Sequence, residues 1–363
     1  MPAADCDLTE PDAIPSTSCP GFAAIERLAD ANGIMQHSRH SLPDPEHGYC
    51  LDDNARALIL MHRSPDLPSL VHDRWANVFG DFVESAWNPE LDRFRNFMSH
   101  DGAWLEEAGS EDSWGRAIWA LGVTAAEARL PAQREWALDL FRRAAGPLLA
   151  IISPRAMAFC ILGAERILKV DAGDEGATVM IDTFTDRLAR GCALASRPGW
   201  PWFERRLAYD NGRLPEAMLR AAATPGRAHL IPLGLETLAW VWAKQLAPEG
   251  HFRPVGSAGF GHDYREPERY DQQPLEAQGM IEACAAAYDV TGDPAWIARA
   301  ETAFAWFHGA NDGGVPLADR ASGECYDGLT STGPNLNRGA ESVLAYQLAA
   351  RAIAVLRQRG QIC

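Results

Sequence analysis

The 363-residue chain contains no apolar run long enough to span a membrane, although 47% of its residues are hydrophobic. Its N-terminus also lacks the basic and apolar segments of a secretory leader. The cytoplasm is therefore the expected compartment, with no membrane partner. The eight cysteines (Cys6, Cys19, Cys50, Cys160, Cys192, Cys284, Cys325 and Cys363) form neither a CxxC pair nor a Cys-His neighbour pair. That spacing argues against a zinc site, and the cysteines within apolar helical patterns read as reduced, buried thiols. Basic residues nowhere interleave with aromatics, and the formal charge of −16 repels phosphate backbones, so nucleic acid is excluded as a partner. No metal and no cofactor is predicted.

What the sequence does contain is a recurring polar knot ahead of apolar helices. Tyr49-Cys50-Leu51-Asp52-Asp53-Asn54-Ala55-Arg56 opens the first. Counterparts follow at Ser110-Glu111-Asp112-Ser113-Trp114-Gly115-Arg116, at Ser153-Pro154-Arg155 and at Tyr209-Asp210-Asn211-Gly212-Arg213-Leu214-Pro215-Glu216. Two more lie at Tyr270-Asp271-Gln272-Gln273-Pro274-Leu275-Glu276 and Asn335-Leu336-Asn337-Arg338-Gly339-Ala340-Glu341. Between them run amphipathic helices with one wet face. One has Val71, Trp75, Val78, Phe79, Phe82 and Val83 at spacings of three and four, the period of a helix covering a core. Other predicted helices include 22–32, 133–149 and a last one ending near Arg357, and a β-hairpin is predicted over 94–104.

The pattern gives twelve helices, alternately apolar all round and apolar on one stripe. The first kind must be buried, and the second needs cover on one face only. The predicted fold is all-α, an (α/α)6 toroid of six helical hairpins with short β-hairpins and long loops at one end. The inner helices run parallel, so all six knots and their positive dipole ends meet there. Residues 1–19 read as a poorly ordered arm and 20–363 as a single barrel domain. The competing architecture, an open α-solenoid, fits the irregular knot spacing less well.

Taken together, Gly48-Tyr49-Cys50-Leu51-Asp52-Asp53-Asn54-Ala55-Arg56-Ala57-Leu58, Glu111-Asp112-Ser113-Trp114-Gly115-Arg116-Ala117, Tyr270-Asp271-Gln272-Gln273-Pro274-Leu275-Glu276-Ala277 and Asn337-Arg338-Gly339-Ala340-Glu341-Ser342 carry a resemblance. The chain resembles a bacterial branch of the six-hairpin glycosidase-like superfamily that occurs beside, or fused to, glycosyltransferases. The resemblance implies the toroid, a carbohydrate ligand and a functional association with a glycosyltransferase. It leaves the reaction open among hydrolases, phosphorylases, unsaturated-uronide hydrolases and 2-epimerases.

Glycoside hydrolysis needs two carboxyl groups, one to protonate the leaving oxygen and one to activate water or attack the sugar. The candidates are Asp53, Asp112, Asp210, Glu276 and Glu341. The competing reading for each is a helix cap or dipole partner, strongest for Asp52 and Glu111. The candidate oligosaccharide-binding residues are Asn54, Arg56, Trp114, Arg116, Trp200, Trp202, Tyr209, Asn211, Tyr270, Gln272, Gln273, Asn335 and Asn337. Aromatic faces stack on sugar rings and amides meet hydroxyls, and Trp200 and Trp202 are the favoured platforms. The arginines of the knots are expected to pair internally with the carboxylates. An epimerase of the N-acylglucosamine 2-epimerase type is the alternative. It calls for proton-shuttling histidines, and no inner-helix knot contains one, although His229 starts an outer helix and His40, His47, His251 and His262 lie on loops from which a pair could fold over the site. A non-catalytic carbohydrate-binding partner of a glycosyltransferase is the third reading. A magnesium-diphosphate reading of Asp52-Asp53 fails because Arg56 stands where another acid is needed.

Overall fold

A computed structural model describes residues 19–146 and 150–362. The expected N-terminal arm, apart from Cys19, lies outside them. Among the described residues there are twelve α-helices. They are α1 (Ala23–Leu28), α2 (Leu51–His62), α3 (Ser69–Ala86), α4 (Glu111–Glu127), α5 (Pro131–Ala145), α6 (Pro154–Val170), α7 (Glu175–Ala195), α8 (Arg213–Ala222), α9 (Ile231–Lys244), α10 (Pro274–Thr291), α11 (Ala295–Ala305) and α12 (Ala340–Ile362).

The even-numbered helices form a closed inner ring. Each packs on the next, and α12 returns to α2. That closure rules out the open solenoid. The reason lies in composition: α10 is buried without interruption from Pro274 to Tyr288, and a helix with no polar face has no stable place except inside. The odd-numbered helices lie outside. α3 buries Trp75, Phe79, Phe82 and Val83 while its other face meets solvent. α1 packs on α12, so the two ends of the chain complete the last pair. Gln347 on α12 donates to the Gly21 carbonyl at 2.7 Å, fastening that closure.

Where inner helices touch, glycine sets the distance. A Cβ on Gly122 of α4 would lie 2.2 Å from the Gly163 carbonyl oxygen of α6, and one on Gly163 would lie 2.4 Å from the Ile118 carbonyl oxygen. No side-chain rotation relieves a clash with backbone, so only glycine permits this approach.

Loops joining outer to inner helices gather at the N-terminal end of the inner ring. They carry short antiparallel ladders. β1 (Ser38–Arg39) pairs with β2 (Leu42–Pro43), β3 (Tyr49–Cys50) with β6 (Phe97–Met98), β4 (Trp87–Asn88) with β5 (Arg93–Phe94), and β7 (Gly328–Thr330) with β8 (Gly333–Asn335). The predicted hairpin over 94–104 is thus divided. Its first strand pairs backwards to Trp87–Asn88, Phe97–Met98 pairs with Tyr49–Cys50, and only the Met98–Trp104 bridge closes it locally. Other boundaries move as well. α1 stops at Leu28 because the Asp30 carboxylate accepts the Asn32 N–H, and this local turn competes with another helical turn. Asn335, expected to open the last helix, sits in β8 instead. The end of α5 expected at Leu149 lies outside the described residues.

Ser110 and Ser153 cap α4 and α6 by accepting the Ser113 and Ala156 N–H groups, each worth about 1 kcal/mol. The α4–α6 contact yields a first prediction. Gly122→Val should lower unfolding free energy by about 3 kcal/mol or more, read in urea titrations, because the added atoms meet backbone rather than a yielding side chain.

Candidate active site

A cleft of about 840 Å³ opens over the N-termini of the inner helices. α2 supplies Asp52, Asp53 and Arg56 to its floor, α4 supplies Glu111, Asp112 and Arg116, and α12 supplies Glu341 and Ser342. Loops contribute Gln36, His37, Asn96, Phe97, Glu106, Tyr209, Gln273, Asp327 and Asn335. The opening knot is positioned by Gly48, whose φ of 60° and close approach to the Met98 carbonyl leave no room for a Cβ. The Asn96 side-chain oxygen then accepts the Leu51 and Asp52 N–H groups, taking the role of cap for α2.

Two arginines organise the floor. Arg56 donates to Asp53 at 2.7 Å and to Glu341 at 2.8 Å, so one guanidinium bridges carboxylates from two helices. Arg116 faces Asp52 at 3.0 Å and reaches Asp210 at 3.2 Å. Asp52 is therefore an ion-pair partner rather than the cap it was expected to be. Glu111 caps no part of its own helix either. It accepts the Ile152 and Ser153 N–H groups at 2.9 and 2.7 Å, ahead of α6.

Burial pushes Asp53 up to about 6 against the pull of Arg56, with Glu341 adding to the rise. Asp112 is also raised, chiefly by burial, although the Ser153 hydroxyl donates to it at 2.5 Å. Asp327 rises for the same reason while accepting the Gly339 N–H at 2.7 Å. His37 is lowered by desolvation and by the neighbouring His47, whose ring centroid lies 4.7 Å away. Burial opposes the charge on Arg56, and Glu341 and Asp53 outweigh it, holding the guanidinium firmly protonated.

Of the residues proposed from sequence, the cleft gathers Asp53, Asp112, Glu341, Arg56, Arg116, Tyr209, Gln273 and Asn335. The others lie elsewhere, for visible reasons. Asp210 is fully buried with φ of 50°, turned inward to share its carboxylate between Arg116 and Arg213. Glu276 is sealed beneath the loop before α8, accepting the Asn211 N–H and amide at 3.3 and 3.0 Å. Asn211 is thereby a support for Glu276 and Arg155. Asn54 is spent on the Ile34 backbone and the Cys50 carbonyl. Gln272 joins Trp306 to Asp312.

The expected tryptophan platforms are core residues. Trp200 and Trp202 are 3% and 0% exposed, packed on Trp240 with centroids 4.8 and 5.5 Å away. Trp114 is buried under the Arg93 guanidinium. Tyr270 lies beneath Arg269, and Asn337 accepts the His40 N–H at the rim. The aromatic surfaces that do face the cleft are Phe97 and Tyr209.

Phe97, His37, Asn96, Glu106 and Asp327 were not read from sequence as site residues. Phe97 had a detectable signal, as an apolar residue within the segment predicted to form a hairpin. The others sit in irregular loops without one. Among the described residues no three His, Cys, Asp or Glu side chains converge to hold a metal ion.

Comparisons with known proteins come from structure. No family model and no curated protein matches the sequence. A sugar epimerase from a ruminal bacterium superposes with a TM-score of 0.68 at 14% identity, covering 93% of this chain and 95% of that one. The cellobiose 2-epimerase of Bacillus thermoamylovorans gives 0.69 at 13% identity, over 93% and 96%. A GH76 α-mannanase of Bacteroides thetaiotaomicron gives 0.64 at 11% identity, over 93% and 94%. The fold these structures share with this chain is the (α/α)6 toroid. Within this (α/α)6 toroid the knots occupy one end of the barrel, and no described helix is long and apolar enough to cross a membrane.

Glu276 supplies a pH test. Burial raises it from 4.5 to about 7, so the folded state holds a proton that the unfolded chain releases near 4.5. Stability from this group is full below pH 4.5 and is lost as pH rises through 7. Glu276→Gln should remove that loss. The variant should gain on wild type by a few kcal/mol, on the order of 1.4 per pKa unit, in unfolding titrations compared at pH 4.5 and pH 8.

Proposed function

We propose that the chain is a carbohydrate-active enzyme that cleaves a glycosidic bond by carboxylate acid/base catalysis. The reading rests on one observation: the cleft holds carboxyl groups in two different electrostatic settings. Asp112 is half-buried, raised, and bonded to a neutral hydroxyl. Glu341 is 40% exposed at its side chain and held against a guanidinium. A carboxyl of the first kind holds a proton more readily and serves as general acid. One of the second kind, paired with a guanidinium, serves as base or nucleophile. Asp53 is the poorer acid despite its raised pKa. Its oxygens are taken by Arg56 and by the Cys50 thiol at 3.2 Å, and a proton there would break the ion pair. Its role is to hold Arg56 beneath Glu341.

In the proposed step Asp112 donates its proton to the glycosidic oxygen as the bond to the anomeric carbon breaks. Glu341 takes a proton from the water that attacks that carbon. Phe97 and Tyr209 supply stacking surfaces, and Asn96 and Gln273 supply amides for hydroxyls. The likeness to a GH76 mannanase supports this reading at the level of fold.

The second reading, sugar 2-epimerisation, is favoured by one observation, His37 on the cleft wall. Its lowered pKa suits a neutral imidazole that removes a proton beside a carbonyl. Fold likeness to two epimerases supports it equally.

The readings separate in one set of assays, with manno-, gluco- and galacto-oligosaccharides screened for cleavage and free mannose and glucose incubated in deuterated water. Under the hydrolase reading, Asp112→Asn and Glu341→Gln each lower kcat by about a hundredfold or more, while His37→Gln keeps most activity. Deuterium entering C2 without bond cleavage, and abolished by His37→Gln, would install the epimerase instead.

A further inference from the structure

The cleft contains two guanidinium groups, and both are already committed. Arg56 is shared between Asp53 and Glu341, and Arg116 between Asp52 and Asp210. The Phe159 ring lies 4.1 Å from the Arg116 guanidinium carbon and covers one of its faces. Behind the floor, Arg155 is taken by Glu204, Asn211 and the Tyr209 carbonyl. Against these two cations stand seven lining carboxyl groups: Asp52, Asp53, Glu106, Glu111, Asp112, Asp327 and Glu341. A uronate or phosphate entering here meets a field of its own sign. It gains a cation by competing with the carboxylates already held there, and where it displaces Asp53 or Asp210 a buried carboxylate is left behind. An uncharged glycan meets no such penalty, because its hydroxyls donate to carboxylates and its ring faces stack on Phe97 and Tyr209.

We propose that the cleft selects uncharged glycans over uronates and phosphosugars, and that Asp52 enforces this by keeping Arg116 occupied. The inference rests on the carbohydrate reading above and narrows it. It also assigns water rather than inorganic phosphate as the attacking group. The anomeric C–O bond breaks, the water oxygen bonds to the anomeric carbon, the leaving oxygen takes the acid's proton and the base takes the proton from water. Phosphorolysis needs a cationic seat beside that carbon, and among the described lining residues both arginines already hold carboxylates.

The test is calorimetry on the full chain at low and high salt. The titrants are manno-, gluco- and galacto-oligosaccharides and the same chains oxidised at C6 to uronates. Cleavage assays are run in parallel with and without added phosphate. The neutral member of a bound pair should bind at least about tenfold more tightly than its uronate, with the gap narrowing at high salt. Phosphate should neither speed cleavage nor yield a sugar phosphate. Asp52→Ser, with folding checked by circular dichroism, should raise uronate affinity by freeing Arg116. A wild-type protein that binds the uronates equally well, or cleaves with phosphate, overturns the inference and leaves the carbohydrate reading standing. Binding to no glycan of either charge would instead defeat the carbohydrate reading itself.

Discussion

Charge fills the axis of this barrel where an apolar core would be the simpler solution. From the cleft floor a chain of contacts runs Asp52, Arg116, Asp210, Arg213, Glu282, Arg63, each side chain sharing the next. It starts on the first turn of α2 and ends just past that helix's C-terminus, so it spans the length of the inner ring. Trp119 lies between two of its links, with Arg63 and Arg213 over its ring at 5.6 and 4.7 Å. Removing one member of such a chain strands its partners without water, a loss of about 3–5 kcal/mol where comparable pairs are broken. Each charge is therefore fixed by its neighbours, and the floor of the cleft inherits that rigidity.

This constraint explains why carboxylates crowd the knots. Six parallel helices bring their positive ends to one place, and acids there answer both the dipoles and the arginines. An acid in a knot thus has a structural use before it has a chemical one. Asp210, Glu216 and Glu276 face inward to arginines or amides, while Asp112 and Glu341 lie high enough to meet a ligand. The two groups are alike in sequence, since both sit within a turn of a helix start. Depth along the barrel axis separates them, and no residue pattern encodes it.

The toroid was legible because helix burial is written in composition. A helix such as α10, with no polar face, announces its place, and the irregular spacing of the knots argued against a solenoid. The arginine pairing was legible too, since a guanidinium placed among acids in a core has few alternatives. The tryptophans misled. Trp200 and Trp202 flank Pro201 in a segment without helical pattern and read as surface, yet that segment folds inward and stacks on Trp240. His37 and Asp327 escaped notice because they belong to the loops before α2 and α12, far apart in sequence. They meet because the barrel closes and sets those helices side by side.

Floor and rim consequently carry different burdens. The floor must neutralise itself for the ring to close, which commits its arginines to carboxylates. The rim is built from loops whose ladders are two or three residues long, such as β3 with β6 and β7 with β8. They can change without disturbing the axis. The fold itself does not fix the reaction, since it occurs in both a mannanase and a cellobiose 2-epimerase. Here the rim lowers one imidazole, His37, and two aromatic rings, Phe97 and Tyr209, above carboxyl groups in unlike settings. Among the described lining residues His37 is the one imidazole, with His47 packed against it at 4.7 Å, whereas the floor carries carboxyl groups both paired to a guanidinium and bonded to a hydroxyl. That asymmetry is the physical ground for placing cleavage ahead of epimerisation.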